Sequence, residues 1–228
     1  MKIQICSASQ KGHRQRLREK FEKAPHSLAD YEILEMLLFL AIPRKDVKPL
    51  AKTLLKHFKT FNKIVCSDMK SLLQVEQLGE NTVTTIKLVH EILQRTLAEQ
   101  LKQTSLINSQ EQLINYLKIS MGYLNIEQFR VLFLNAKYFL IADEVQQEGT
   151  IDQAALYIRE IIKRALELHS TKLILVHNHP TGNCTPSQAD LVSTKMLQQA
   201  ALPMNIELSD HIIIGSFGFY SMKDEGVL

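Results

Sequence analysis

The 228-residue chain has no tryptophan, only eight glycines and six prolines, and three cysteines. So little glycine and proline excludes collagen-like and low-complexity chains, and a content of 45% hydrophobic and 22% charged residues excludes intrinsic disorder. Cys6, Cys66 and Cys184 are odd in number and far apart, which argues against a disulfide framework and for a reducing interior. Long apolar runs are missing too. The longest, residues 33–42, is ten positions long and interrupted by Glu35, where about 20 are needed to cross a bilayer. The start, MKIQICSASQKGHRQRLREKF, lacks the apolar segment and small-residue cleavage site of a secretory signal, so the expected location is the cytoplasm. At roughly 100–200 residues per domain, the length suits one large domain or two small ones.

The rear is short of basic charge, which belongs to the front. Residues 1–103 carry a net +7 and residues 104–228 a net −4, giving +3 for the chain. The densest basic group is Lys11, His13, Arg14, Arg16, Arg18, Lys20 and Lys23. Such a patch could meet a phosphate backbone, and a solvated helix face has the same composition.

The first hundred residues read as short helices joined by tight turns. Ser27, with Asp30 three positions on, has the spacing of an N-cap opening a helix over 31–42 that Pro43 ends. Over 47–58, Leu50, Leu54 and Phe58 recur four apart with the lysines mostly elsewhere. Further helices are expected over 67–75 and 81–101. The periodicity lapses over 104–109 before Ser109 and Gln112 restart a helix through a capping box. Behind this point strands alternate with helices. β-rich runs at 129–134 and 139–142 flank the turn-like Asn135-Ala136-Lys137; a helix over 154–168, an almost wholly apolar strand at 172–176 and a helix over 186–201 follow, with closing strands at 206–208 and 212–214. The expected fold is α/β: an all-helical domain, 1–105, followed by an α/β sandwich, 106–228.

The chemistry concentrates in residues 176–190. His177 and His179 stand two apart at the end of a strand, so both imidazoles point to one side. Thr185 followed by Pro186 reads as an N-cap with proline at the first helical position, which sets Ser187 and Asp190 on one face of the opening turn. Two histidines and a carboxylate, with a fourth position left for water, form the open tetrahedral arrangement of a catalytic zinc site, where the metal lowers the pKa of that water towards about 7. Such a site needs a general base that does not ligate the metal, and spacing alone leaves Glu127, Glu148, Glu160 and Glu167 as candidates. Asp210 and His211 either orient a ligand or form a polar turn before a strand. His13, His26, His57, His90 and His169 are read as ordinary satisfied residues.

The order H-x-H, seven residues, S, two residues, D, carried by His177, His179, Ser187 and Asp190, resembles the signature of the JAMM, or MPN+, metallohydrolases. The wording HNHPTGNCTPS with the later DHIIIG resembles the RadC proteins, as do the front stretches LADYEILE and AIPRKDVKP, so the likeness covers nearly the whole chain. The resemblance implies a JAMM/MPN-like, cytidine-deaminase-like α/β sandwich with a mixed sheet. It implies a zinc ion held by His177, His179 and Asp190, with Ser187 donating a hydrogen bond to the substrate oxyanion. A distant glutamate entering the first core strand belongs to the pattern, and Glu127 in EQFRVL matches it best, which implies Glu127 as general base. The implied reaction is zinc-assisted hydrolysis of a peptide or isopeptide amide. The family's front domain includes a helix-hairpin-helix with a G-x-G turn. Here residues 75–83 keep Gly79, with Gln77 in place of the first glycine and Glu76 and Glu80 around the turn; that acidic charge disfavours a phosphate. Ile158 replaces a usual proline, and Cys184 lies between the ligands as a spectator thiol or a fourth ligand.

Three functions are therefore carried forward. The first is a zinc metallopeptidase acting on a peptide or isopeptide, with no membrane partner. The second is a DNA-associated protein, either a metal-dependent nuclease or a repair factor, favoured by the basic front and by the usual description of RadC proteins. The third is a catalytically silent binding module, in which Ser187 merely starts a helix.

Overall fold

Residues 6–106, 109–149 and 157–228 are described by a computed structural model, with side chains from Gly12 onward. The front is helical, as its periodicity predicts: α1 (Cys6–Lys23), α2 (Asp30–Ala41), α3 (Lys48–Phe58), α4 (Phe61–Cys66), α5 (Met69–Leu73) and α6 (Glu80–Gln103). Leu34, Leu38, Leu54, Ile64, Leu72, Val83 and Ile86 form its buried core. Two local readings need correction. Ala29 rather than Ser27 stands at the N-cap of α2, because Glu32 Oε2 accepts the Ala29 N–H at 2.9 Å while the Ser27 hydroxyl donates to the Ala24 carbonyl. Helix α4, six residues long, is too short to show a period and is set by Thr60, whose hydroxyl accepts the Lys63 N–H at 3.2 Å. In the turn before α6, Gln77 takes φ +71°, the left-handed conformation that a glycine adopts more readily.

The chain packs as two units, Met1–Glu91 and Ile92–Leu228, divided within α6. The lapse of periodicity at 104–109 coincides with the end of that helix. Its last turns belong to the rear unit, where Leu97, Ala98 and Leu101 join a core of their own.

The rear unit continues with α7 (Gln110–Met121), β1 (Gln128–Leu134), β2 (Leu140–Glu148), α8 (Ile158–Glu167), β3 (Lys172–Asn178), α9 (Gln188–Ala201), β4 (Glu207–Ile214) and β5 (Phe219–Ser221). The N-terminal part of the helix expected over 154–168 falls on residues 154–156, outside the described residues. No capping box forms at α7: the Ser109 hydroxyl donates to the Ser105 carbonyl instead. The strands make one mixed sheet in the order β2-β1-β3-β4-β5, parallel between β3 and β4 and antiparallel elsewhere. Leu132, Leu134, Ile174, Val176 and Ile212 pack on Leu113, Leu117 and Met121 of α7. On the other face Val131, Phe133, Leu173 and Leu175 pack with Ile161 of α8 and Leu197 of α9. Burial on both faces is why β3 reads as a continuous apolar run.

The sequence predicts two closing strands, 206–208 and 212–214, where the structure has β4 alone. It is one strand, because the polar Asp210 and His211 are satisfied inside it. Asp210 accepts the Ser221 hydroxyl at 2.7 Å and the Lys223 N–H at 3.0 Å. An irregularity in the β3–β4 register after Leu173 sets His211 opposite Leu175, so His211 lies on the same face as Leu175 and His177. Among the described residues no helix is long and apolar enough to cross a membrane.

Candidate metal centre

Strand β3 delivers the first imidazole. His177 pairs with Phe129 across the ladder, and their rings stack with centroids 6.2 Å apart. One residue beyond the strand, the His179 N–H donates to the Ile214 carbonyl of β4 at 2.9 Å. The chain then doubles back, and the His179 Nδ1–H donates to the Asn183 carbonyl at 2.6 Å, which leaves the Nε2 lone pair free. This loop sits tightly on the turn after β4. A Cβ on Gly215 would lie 2.6 Å from the Gly182 carbonyl oxygen and 2.7 Å from Cys184 Sγ, and Gly182 itself holds φ +83°.

Helix α9 delivers the carboxylate, and it starts later than Thr185-Pro186 suggests. Ser187 is the N-cap: its hydroxyl accepts the Asp190 N–H at 3.1 Å, while its own N–H and hydroxyl each donate to Asp190 Oδ2 at 2.7 Å. This reciprocal capping box satisfies donors that Thr185 cannot reach. The Thr185 N–H and hydroxyl are held instead by Asn183 Oδ1, at 3.0 and 2.8 Å. The cap fixes Asp190 so that its other oxygen, Oδ1, lies 3.4 Å from His177 Nε2.

One ligand atom from each of His177, His179 and Asp190 lies within 4.8 Å of the other two. The two histidine Nε2 atoms are 3.0 Å apart. A tetrahedral ion with bonds of 2.0–2.1 Å separates its ligand atoms by about 3.3 Å; 3.0 and 3.4 Å are close to such edges, and the third, from His179 Nε2 to Asp190 Oδ2, is longer at 3.9 Å. The protonation pattern fits as well. The Thr194 hydroxyl must donate to the Asp190 carbonyl, 2.5 Å away, because a carbonyl only accepts. It therefore accepts the His211 Nδ1–H, also at 2.5 Å. Burial holds the His211 imidazole well below its ordinary pKa and so neutral. His211 Nε2 is then an acceptor for the His177 Nδ1–H at 2.8 Å, and His177 Nε2 presents a lone pair. Two imidazole lone pairs and a carboxylate oxygen facing one point repel each other unless a cation lies among them. Burial works to raise the Asp190 carboxyl; without a cation, a proton on His177 Nε2 takes its place, and the hydrogen bond and charge of that proton, with the two donors of Ser187, outweigh burial and hold the group well below the usual carboxylate range.

The remaining sequence candidates divide by position. Glu127 lies just before β1, two residues ahead of Phe129, the ladder partner of His177. Glu148 accepts from Gln128 Nε2 at 2.5 Å. Glu167 pairs with Arg164 and Lys163 along α8. The Ser187 hydroxyl proton is directed to Asp190. Cys184 Sγ donates to the Gly182 carbonyl at 3.8 Å and stands outside the group of three ligands. Thr194 has no sequence signal beyond its place one turn after Asp190, and its part emerges only from its contact with His211.

The family described as the RadC-like JAB domain has a model that matches residues 107–227, more than half of the chain.

Proposed function

The chain belongs to the RadC-like JAB domain family, and from that premise we propose that it is a zinc-dependent hydrolase of peptide or isopeptide amides. The observation that carries this reading is the convergence of one ligand atom from each of His177, His179 and Asp190 within 4.8 Å of one another, beside side chains that remain partly open to solvent, 16% exposed at His179 and 18% at Asp190. A substrate can reach such a point, whereas a structural zinc is closed off by a fourth protein ligand. The bound metal supplies Lewis acidity and lowers the pKa of a water molecule.

The rest is done by side chains of this chain. Thr194 and His211 hold His177 in the tautomer whose Nε2 is free, and the Asn183 carbonyl does the same for His179. The Glu127 carboxylate takes a proton from the attacking water and hands it to the departing amine nitrogen. Ser187, on rotating its hydroxyl away from Asp190, donates to the oxygen that gains charge as the amide carbon becomes tetrahedral. Cys66 and Cys184 are free thiols, in keeping with work in the reducing cytoplasm. The test is a screen of the zinc-loaded protein against peptide, isopeptide and nucleic-acid libraries. Amide cleavage that Glu127→Gln abolishes with zinc retained is expected; phosphodiester cleavage, or no cleavage of any library, overturns the reading.

DNA contact by the front unit is a second proposal, supported by exposed Arg16, Arg18 and Lys23 on α1. Other members of the basic group are engaged within the unit: His13 with Glu35, Arg14 with the carbonyls of Ile42 and Lys45, and Lys20 with Glu32. The Lys11 side chain is outside the described residues. A salt-dependent affinity that disappears when Arg16, Arg18 and Lys23 are neutralised is expected, and no binding at low salt removes this proposal.

A further inference from the structure

The residue between the two histidines is turned the other way. Asn178 follows His177 in the pleat, so its side chain points to the opposite face, where it is 1% exposed. The β1–β3 ladder ends at the pair Phe129–His177. In the gap so opened a side chain replaces the main chain. Asn178 Oδ1 accepts the Gln128 N–H at 2.8 Å, and Asn178 Nδ2 donates to the Ile126 carbonyl at 3.0 Å. These two bonds grip the residues immediately before and after Glu127. A third fixes Glu127 itself, whose carbonyl accepts the Gly149 N–H at 2.9 Å. Only a carboxamide combines the donor and the acceptor that this gap needs; aspartate lacks the donor and leucine lacks both.

We propose that Asn178 is a positioning residue that sets the spacing and facing of Glu127 relative to His177 and His179. One tripeptide would then carry both halves of the apparatus: two rings towards the cation on one face, and on the other a clamp on the strand that bears the base. This rests on reading Glu127 as base and His177, His179 and Asp190 as ligands. It does not require Asn178 to touch the metal or the substrate.

The probe is cobalt(II), whose visible absorption reports the surroundings of the bound ion. Asn178→Ala is expected to change that spectrum in the same direction as Glu127→Gln, and the double variant to change it no further. Cobalt affinity should stay well inside the about 10-fold loss that follows when a ligand's own hydrogen-bond partner is removed. Exchange of the Gln128 amide proton should accelerate about 10-fold as its acceptor is lost. Should Asn178→Ala not fold, Asn178→Asp, which keeps the acceptor for Gln128 and loses the donor to Ile126, is expected to give a smaller spectral change of the same sign. A Glu127→Gln spectrum identical to the parent's overturns the choice of base. A Glu127→Gln change that Asn178→Ala fails to reproduce, or adds to independently, overturns the clamp alone.

Discussion

His211 Nε2 accepts the Nδ1–H of His177 at 2.8 Å, deep in the sheet and in mid-strand. The same imidazole gives its only proton to Thr194, whose hydroxyl in turn holds the carbonyl of Asp190. One relay therefore joins two of the three ligands. Thr194→Val, close in shape but without the hydroxyl, frees His211 to flip its tautomer and is expected to weaken zinc binding about 10-fold or more. A chelator-competition titration reads this directly; unchanged affinity would show that the relay does not set the tautomer of His177.

The grouping of His177, His179 and Asp190 is legible in the chain because its spacing is local: two residues along the chain at a strand's end and one helical turn restate themselves in the numbering of His177, His179, Ser187 and Asp190. The parts that could not be read depend on register. His211 faces His177 only because the β3–β4 pairing slips after Leu173, and Asp210 sits comfortably in a strand only because Ser221 and Lys223 arrive from further along the chain. Helix α9 has its cap two residues later than Thr185-Pro186 suggests for a related reason: Thr185-Pro186 satisfies a local rule, but the reciprocal bonds of Ser187 and Asp190 satisfy more donors. The α/β alternation itself was plain, since buried apolar strands and amphipathic helices differ in period.

The ligand loop should be sensitive to a single methyl group. Gly215→Ala places a Cβ 2.6 Å from the Gly182 carbonyl oxygen and 2.7 Å from Cys184 Sγ, and backbone cannot yield as a flexible side chain does. Weaker zinc binding is expected, although no ligand is altered. Isothermal titration checks this, and an affinity equal to the parent's would mean that the loop position does not matter to His179.

Ser187 has two separable duties. Ser187→Ala removes the N-cap of α9 and should cost about 1 kcal/mol of stability, within the 0.5–2 kcal/mol usual for such losses, while Ser187→Thr keeps the cap and most of the stability. Urea unfolding measures this part. If the hydroxyl also serves the oxyanion, Ser187→Ala lowers kcat in any hydrolysis found, beyond what its lost stability explains; an unchanged kcat confines Ser187 to the cap.

Burial pushes the Cys66 thiol up to about 11 from its ordinary 9.0, partly opposed by the positive charge of Lys87. The folded state thus keeps the proton more tightly than the unfolded chain. The resulting stability is fully present below about pH 9 and is lost as pH rises through about 11, a change of about 2–3 kcal/mol. Compared with Cys66→Ala by urea unfolding at pH 8, 10 and 11, the parent should lose its advantage by that amount. Parallel pH curves for the two proteins would contradict the shift.

Metal content decides most. After reconstitution with zinc and removal of unbound ion, elemental analysis should find about one zinc per chain in the parent and almost none in His177→Ala or Asp190→Ala. A parent without zinc, or variants that keep it in full, would mean that His177, His179 and Asp190 meet for some other reason.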